Sequence, residues 1–211
     1  MEYKIIKLVV GQLQENCFIL FDENKNAFVV DPGGSSENII ETIEKNSLNI
    51  KYILLTHGHF DHVGAVAALV KKYKAPVYLS KEDRNFLESP KEVRASAFGM
   101  QIEAAEVDVF VKEGDEIPFS EGTIKVIETP GHTLGSVCYL FENYLFAGDT
   151  LFNGSIGRTD FPESDHSLMV ESLKKLKKLD DEIYVLSGHG PESQISYEKM
   201  ANPYLRQLWL R

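Results

Sequence analysis

The sequence predicts an α/β protein of four layers, two sheets packed face to face with helices outside, an αββα sandwich. Two observations carry this: short β-branched or aromatic runs arrive in two blocks along the chain, and each block is followed by segments of helical periodicity. A third bounds it. With 211 residues, 43% hydrophobic and 26% charged, the chain has the composition of an ordinary globular protein. A chain this long removes roughly 70% of its unfolded surface from water, and one domain spanning 1–211 is the expected count.

In order, Tyr3 to Val10, Asn16 to Phe21 and Ala27 to Val30 read as strands, the last closed by Asp31-Pro32-Gly33-Gly34. Ile39, Ile40, Ile43 and Leu48 then recur at helical spacing, as do Val63, Val66, Ala67, Val70 and Tyr73 in a helix beginning near Val63. Between those helices lies a strand, Tyr52 to Leu55. Val77 to Leu79 is another, followed by a polar helical stretch from about Lys81 to Phe98. The second block comprises Thr123 to Glu128, Val137 to Phe141 and Tyr144 to Phe146, the last pair across a tight Glu142-Asn143 turn. A helix from about Ser167 to Lys178, a strand from Ile183 to Leu186 and a short helix capped by Ser196 and stopped before Pro203 complete the chain.

Charge and cysteine usage narrow the function. With 22 Lys+Arg against 32 Asp+Glu the net charge is −10, which argues against a nucleic-acid binder. No run approaches the ~18 apolar residues of a membrane span, and the first residues lack a signal-peptide core, so a cytoplasmic protein without a membrane partner is expected. Only Cys17 and Cys138 are present, outside any C-x-x-C, so metal chemistry must use histidine and carboxylate.

Such residues gather at strand exits. Leu55-Thr56-His57-Gly58, Thr129-Pro130-Gly131-His132, Ala147-Gly148-Asp149 and Ser187-Gly188-His189-Gly190 each end a strand in a ligand-type residue beside glycine, and Asp31 before Gly33 is a fifth exit. Ligands of open α/β sheets bind at carboxyl ends of strands, so these exits are expected on one edge. The densest cluster is His57-Gly58-His59-Phe60-Asp61-His62. In an extended segment His57 and His59 point to one side, while Asp61 and His62 lie at the helix entrance and face a second point. With His132, Asp149 and His189 this makes seven ligand candidates, enough for two ions with three private ligands each and one bridging carboxylate. His166, alone at a helix start, reads as structural, and both cysteines as buried filler.

These motifs resemble the metallo-β-lactamase superfamily: Thr56-His57-Gly58-His59-Phe60-Asp61-His62 matches its signature, and Gly131-His132-Thr133, Gly148-Asp149-Thr150 and Gly188-His189-Gly190 its later motifs. Gly148-Asp149-Thr150-Leu151-Phe152, Gly157-Arg158-Thr159-Asp160-Phe161 and Asn202-Pro203-Tyr204-Leu205 further resemble glyoxalase II (hydroxyacylglutathione hydrolase), in its short single-domain form without the C-terminal helical region. The resemblance implies the αββα sandwich, with His57, His59 and His132 on one divalent ion, Asp61, His62 and His189 on the other, and Asp149 between them. It also implies that Asp31 supports the ligands from behind. The expected cofactors are two divalent ions, zinc first, with iron or manganese compatible with the same donors. The implied reaction is hydrolysis of a small-molecule thioester, of the acyl-glutathione kind, by a hydroxide bridging the ions, with Asp61 orienting the water and Arg158 binding an anionic thiol carrier. Phe152 and Phe161 are placed to flank that substrate or to pack in the core. The alternative is an iron-dependent persulfide dioxygenase of the same superfamily, which resembles the chain at Gly-Arg-Thr-Asp-Phe. A β-lactamase is disfavoured by the lack of a cysteine near a ligand position, and a non-catalytic metal-binding module by the complete ligand set. Oligomeric state is unreadable.

Overall fold

The computed structural model describes residues 2–90 and 101–207, in two compact units divided after Val111. Unit 1 opens with three antiparallel strands, β1 (Tyr3–Val10), β2 (Glu15–Asp22) and β3 (Asn26–Val30), and continues in parallel through β4 (Asn49–Leu54), β5 (Val77–Ser80) and β6 (Val109–Val111). The six pair in sequence order. Every residue of β2 is buried, including Glu15, Asn16 and Asp22. Its apolar members alternate between the two faces, and Cys17, Ile19 and Phe21 join the core that Ile39, Ile43, Ile53, Val66 and Leu69 build. A fully buried side chain of this size contributes about 1.5–3 kcal/mol.

Helix α1 (Ser36–Lys45) follows β3 and buries Ile39 and Ile43, one turn apart, as their spacing predicts. The single helix expected from Val63 is two, α2 (Phe60–Val63) and α3 (Val66–Tyr73). The break has a steric cause: a Cβ at Gly64 would stand 2.4 Å from the Gly33 carbonyl oxygen, and the Ala65 amide donates to Pro32 O at 2.8 Å. The chain therefore turns where it meets the β3 exit loop. The polar stretch from Lys81 is a 3-10 turn (Lys81–Asp83) and α4 (Arg84–Glu88); the rest of that prediction, 91–98, lies outside the described residues.

Unit 2 holds the second six-stranded sheet, in the order β14-β13-β10-β9-β8-β7. Strands β7 (Glu116–Phe119), β8 (Gly122–Glu128), β9 (Val137–Phe141) and β10 (Tyr144–Gly148) are antiparallel neighbours; β13 (Tyr184–Ser187) lies parallel to β10 and antiparallel to β14 (Ser193–Gln194). A small hairpin, β11 (Leu151–Phe152) with β12 (Ser155–Ile156), stands apart. Helix α5 (His166–Leu176) carries the parallel crossover and is capped by Asp165, whose carboxylate accepts from the Ser167 and Leu168 amides. Its Met169, Leu173 and Leu176 pack with Cys138, Leu145, Val185, Ile195 and Leu205. The last helices are α6 (Ile195–Ala201) and α7 (Pro203–Gln207). Ser196 lies within α6 and is not its cap; Gln194 holds that position, because β14 runs directly into the helix. The halt before Pro203 is real, but the proline opens α7 as its first residue. Among the described residues, β6, β7, β11, β12 and β14 were not separately predicted; all are two to four residues long.

Candidate metal centre

Strand direction explains why the ligand-type residues gather. In unit 1, β3, β4 and β5 are parallel, so the segments leaving them share one sheet edge: Asp31 after β3, Thr56 and His57 after β4, Asp83 after β5. In unit 2, β8 and β10 both run against β9, and β13 runs with β10. Their carboxyl ends therefore carry His132, Asp149 and His189 on one edge. The expectation of converging exits is met within each sheet.

On the unit 1 edge, His57, His59 and His62 are buried and packed ring against ring, His57 to His59 at 4.8 Å and His57 to His62 at 4.1 Å between centroids. Asp31, His57 and His62 each offer a donor atom within 4.8 Å of the others, and the Asp61 carboxylate stands 3.9 Å from His62 Nε2. Phe86 covers His59 edge-on. Asp31, expected to support the ligands from behind, lies against Thr56 and His62. Its Oδ1 accepts the Thr56 amide at 2.7 Å, and its Oδ2 accepts the Thr56 hydroxyl at 2.6 Å and faces His62 Nδ1 at 3.0 Å. With its proton given to Asp31, the Thr56 oxygen keeps a lone pair for His57 Nδ1, 3.1 Å away. Asp31 adopts φ +48°, a left-handed conformation that aspartate tolerates better than most residues. Gly33 is required by a close approach, because a Cβ there would stand 1.6 Å from the Asp61 carbonyl oxygen.

Three supporting groups went unread in the sequence. Thr56 opens the Thr56–His62 segment, and its hydroxyl links Asp31 to His57. Asp83 accepts the Gly58 amide at 2.8 Å and so fixes the turn between His57 and His59. Glu15, fully buried on β2, places Oε1 3.9 Å from His62 Nδ1. Position after a strand was a usable signal for Asp83; for Glu15 there was none, since only pairing brings β2 beside the exits. Burial, with the carboxylates of Glu15 and Asp31 adding to it, pushes the Cys17 thiol well above its ordinary range. Cys17 is thus a neutral packing residue in surroundings that favour positive charge.

On the unit 2 edge, the Asp149 carboxylate lies between two histidines, its Oδ2 3.4 Å from His132 Nε2 and 3.7 Å from His189 Nε2. His132 Nδ1 faces the Arg158 carbonyl at 2.8 Å. The loop of His132 is anchored by α5 and its approach: Ser172 Oγ donates to Pro130 O, the Asp165 amide to Gly131 O and Ser164 Oγ to His132 O. The Thr129 and Thr150 hydroxyls, 2.9 Å apart and buried, brace the β8 and β10 exits. Phe152 lies edge-on to His189 and Phe161 to His132. The Arg158 guanidinium makes a two-pronged ion pair with Asp160 at 2.6 and 2.7 Å and lies over the Phe161 ring. Both charged groups are exposed, and the pairing raises the arginine and lowers the aspartate. His166 faces Thr159 Oγ1, the structural role expected of it.

Residues 10–189 match the model of the metallo-β-lactamase superfamily. The chain belongs to that superfamily. Hydroxyacylglutathione hydrolase GloC of Haemophilus influenzae is 39% identical over 201 residues, covering 93% of this chain and 95% of that protein. Among solved structures, the BLEG-1 B3 metallo-β-lactamase superposes with a TM-score of 0.90 at 38% identity, covering 96% of this chain and 99% of the other. TTHA1623, solved in a di-iron-bound form, gives 0.85 at 35% identity, with 95% and 100% covered. The superfamily resemblance and the metallo-β-lactamase fold read from the sequence both hold. The chain is therefore a superfamily hydrolase with a candidate His/Asp metal cluster.

Proposed function

We propose that the chain is a binuclear metal hydrolase that cleaves a thioester of a small anionic thiol carrier, with acyl-glutathione as the leading class. His57, His59 and His132 would hold one ion, Asp61, His62 and His189 the other, and Asp149 would bridge them. The observation that carries the reading is the hydrogen bonding of the imidazoles. His62 and His132 have Nδ1 against a carboxylate and a backbone carbonyl, and His57 has Nδ1 against a hydroxyl whose own proton is committed elsewhere. Such partners fix the Nδ1–H tautomer and turn the Nε2 lone pair toward a cation, the arrangement typical of metal-ligating histidine. The donor set, imidazole and carboxylate without thiolate, suits zinc first and also iron and manganese. The likeness to a protein named hydroxyacylglutathione hydrolase supports the thioester class.

When bound, two divalent ions supply a hydroxide at neutral pH and an electrophile for the carbonyl and the departing thiolate. The chain's residues do the rest. Asp61, short of full burial, holds and orients the attacking water through its carboxylate. A thiolate leaves without protonation, which fits a site in which His57, His62 and His132 are committed to Nδ1 partners. Phe152 and Phe161, beside His189 and His132, exclude water from the acyl group, and Arg158 attracts the carrier's carboxylate from the Phe161 side. Among the described residues no helix is long and apolar enough to cross a membrane. Two free buried thiols are consistent with the cytoplasmic setting included in this reading.

The test is elemental analysis of purified protein followed by thiol release from a panel of glutathione, coenzyme A and aryl thioesters, with nitrocefin and a glutathione persulfide alongside. Two metals per chain and thiol release from glutathione thioesters are expected. Oxygen uptake with the persulfide and no thiol release would replace this reading with the dioxygenase, and nitrocefin opening alone with a β-lactamase.

A further inference from the structure

The ligand loop of unit 2 is tied to the end of the chain by two fully buried polar residues, Glu198 of α6 and Asn202 between α6 and α7. The Glu198 carboxylate accepts the Gly154 amide at 3.3 and 3.1 Å and the Asn202 side-chain amide at 2.7 Å. Asn202 Nδ2 also donates to the Ser155 carbonyl at 3.0 Å, with Phe152 O at 3.5 Å, while its Oδ1 accepts the Tyr204 amide at 3.0 Å. One asparagine thus caps α7 in front of Pro203 and grips the β11–β12 hairpin. A buried carboxylate is costly unless its oxygens are satisfied, and here a backbone amide of the hairpin satisfies them.

The hairpin in turn abuts two candidate ligands. As β12 leaves it, Gly157 passes so close that a Cβ there would stand 1.8 Å from the Asp149 carbonyl oxygen and 3.2 Å from His132 Nδ1. The next residue is Arg158, whose carbonyl faces that same Nδ1 at 2.8 Å. The β11 half carries Phe152, edge-on to His189.

We infer that Glu198 and Asn202 are positioning residues: by clamping the β11–β12 hairpin from the C-terminal helices they fix the Arg158 carbonyl on His132 Nδ1, and so set the tautomer and ring orientation with which His132 meets a metal. Neither residue touches the substrate or the reacting atoms. The inference rests on the proposed metal centre only for the purpose of the tautomer, since the clamp and the His132 contact are features of the chain alone.

The test compares Asn202→Ala and Glu198→Gln with Phe119→Leu, which removes a buried ring of β7 from Phe141 at the end of the unit 2 sheet away from the hairpin. Three readouts are taken: thermal stability, metal affinity by chelator competition, and, on metal-free protein, histidine ring 15N shifts with hydrogen exchange of the Gly154 amide. In wild type, His132 should show the Nδ1–H tautomer and the Gly154 amide should be protected. Both clamp variants should lose at least about tenfold of that protection, give averaged His132 ring shifts and bind the first metal about tenfold more weakly, the scale of losing a ligand's outer partner. Phe119→Leu should lose stability and leave the other readouts at wild type. If Asn202→Ala does not fold, Glu198→Gln, which keeps size and changes one acceptor into a donor, carries the comparison. The inference falls if the clamp variants keep wild-type His132 shifts, or if Phe119→Leu disturbs them equally. A wild-type protein that binds no metal would overturn the proposed function, while the metal-free spectra would still decide on the clamp.

Discussion

Replacing Asp31 by Asn separates support of the metal ligands from support of the fold. The substitution is nearly isosteric, and asparagine tolerates the left-handed φ of +48° at this position, so no backbone penalty confounds it. With Oδ1 kept on the Thr56 amide, the new Nδ2 faces two groups that had donated to Oδ2, the Thr56 hydroxyl at 2.6 Å and His62 Nδ1 at 3.0 Å. Two hydrogen bonds to a charged group, each about 1.5–3 kcal/mol, are lost. The hydroxyl can reverse and accept from the amide, recovering about 1 kcal/mol, which leaves a net loss of about 2–5 kcal/mol. That is a large fraction of a typical stability of about 5–15 kcal/mol. His62 can satisfy the new donor only by moving its proton to Nε2, the nitrogen proposed to face the metal, so metal affinity should fall about 10- to 100-fold. Urea unfolding of metal-free protein gives the first number and chelator competition the second. A variant destabilised as expected but with wild-type metal affinity would refute the tautomer argument, and one unchanged in both would refute the role of Asp31.

Asp149→Ala should take the metal content from two per chain to below one, because Asp149 is the only ligand proposed to be shared; elemental analysis showing one ion lost and the other retained would disprove the bridge. Arg158→Ala should raise KM several-fold for an anionic thioester and weaken its salt dependence, leaving a neutral thioester and the metal content unchanged, since the contact with His132 uses the backbone carbonyl that alanine retains. Equal losses on both substrates would assign Arg158 to its ion pair with Asp160 alone. Cys17 should resist thiol reagents at pH 8 until denaturant is added. Because burial raises its pKa, the native thiol stays protonated while the unfolded one ionises, so its contribution to stability is full below the ordinary value of 9.0 and falls as pH rises above it. Native titration of both thiols at pH 8 would contradict this.

The sequence by itself determined the order and type of the long elements, because their patterns are local: the β-branched runs of β1 to β3, the Ile39 and Ile43 pair of α1, and the Glu142-Asn143 turn each depend on neighbours a few residues away. The proposed ligand set was also legible there, because His57 to His62 is one short segment and the other exits share a strand-then-glycine form. What it left out was decided by contacts distant in sequence. The predicted helix from Val63 breaks because Gly64 meets Gly33, some thirty positions earlier, and Ser196 loses the cap position because β14 pairs with β13 up to the start of α6. Glu15 was invisible as a neighbour of His62 until β2 paired with β3, and Glu198 and Asn202 as anchors of the β11–β12 hairpin until α6 packed in unit 2. Periodicity records which face of an element is apolar. Which buried polar group meets which ligand depends on strand register and loop approach, and only the tertiary structure sets these.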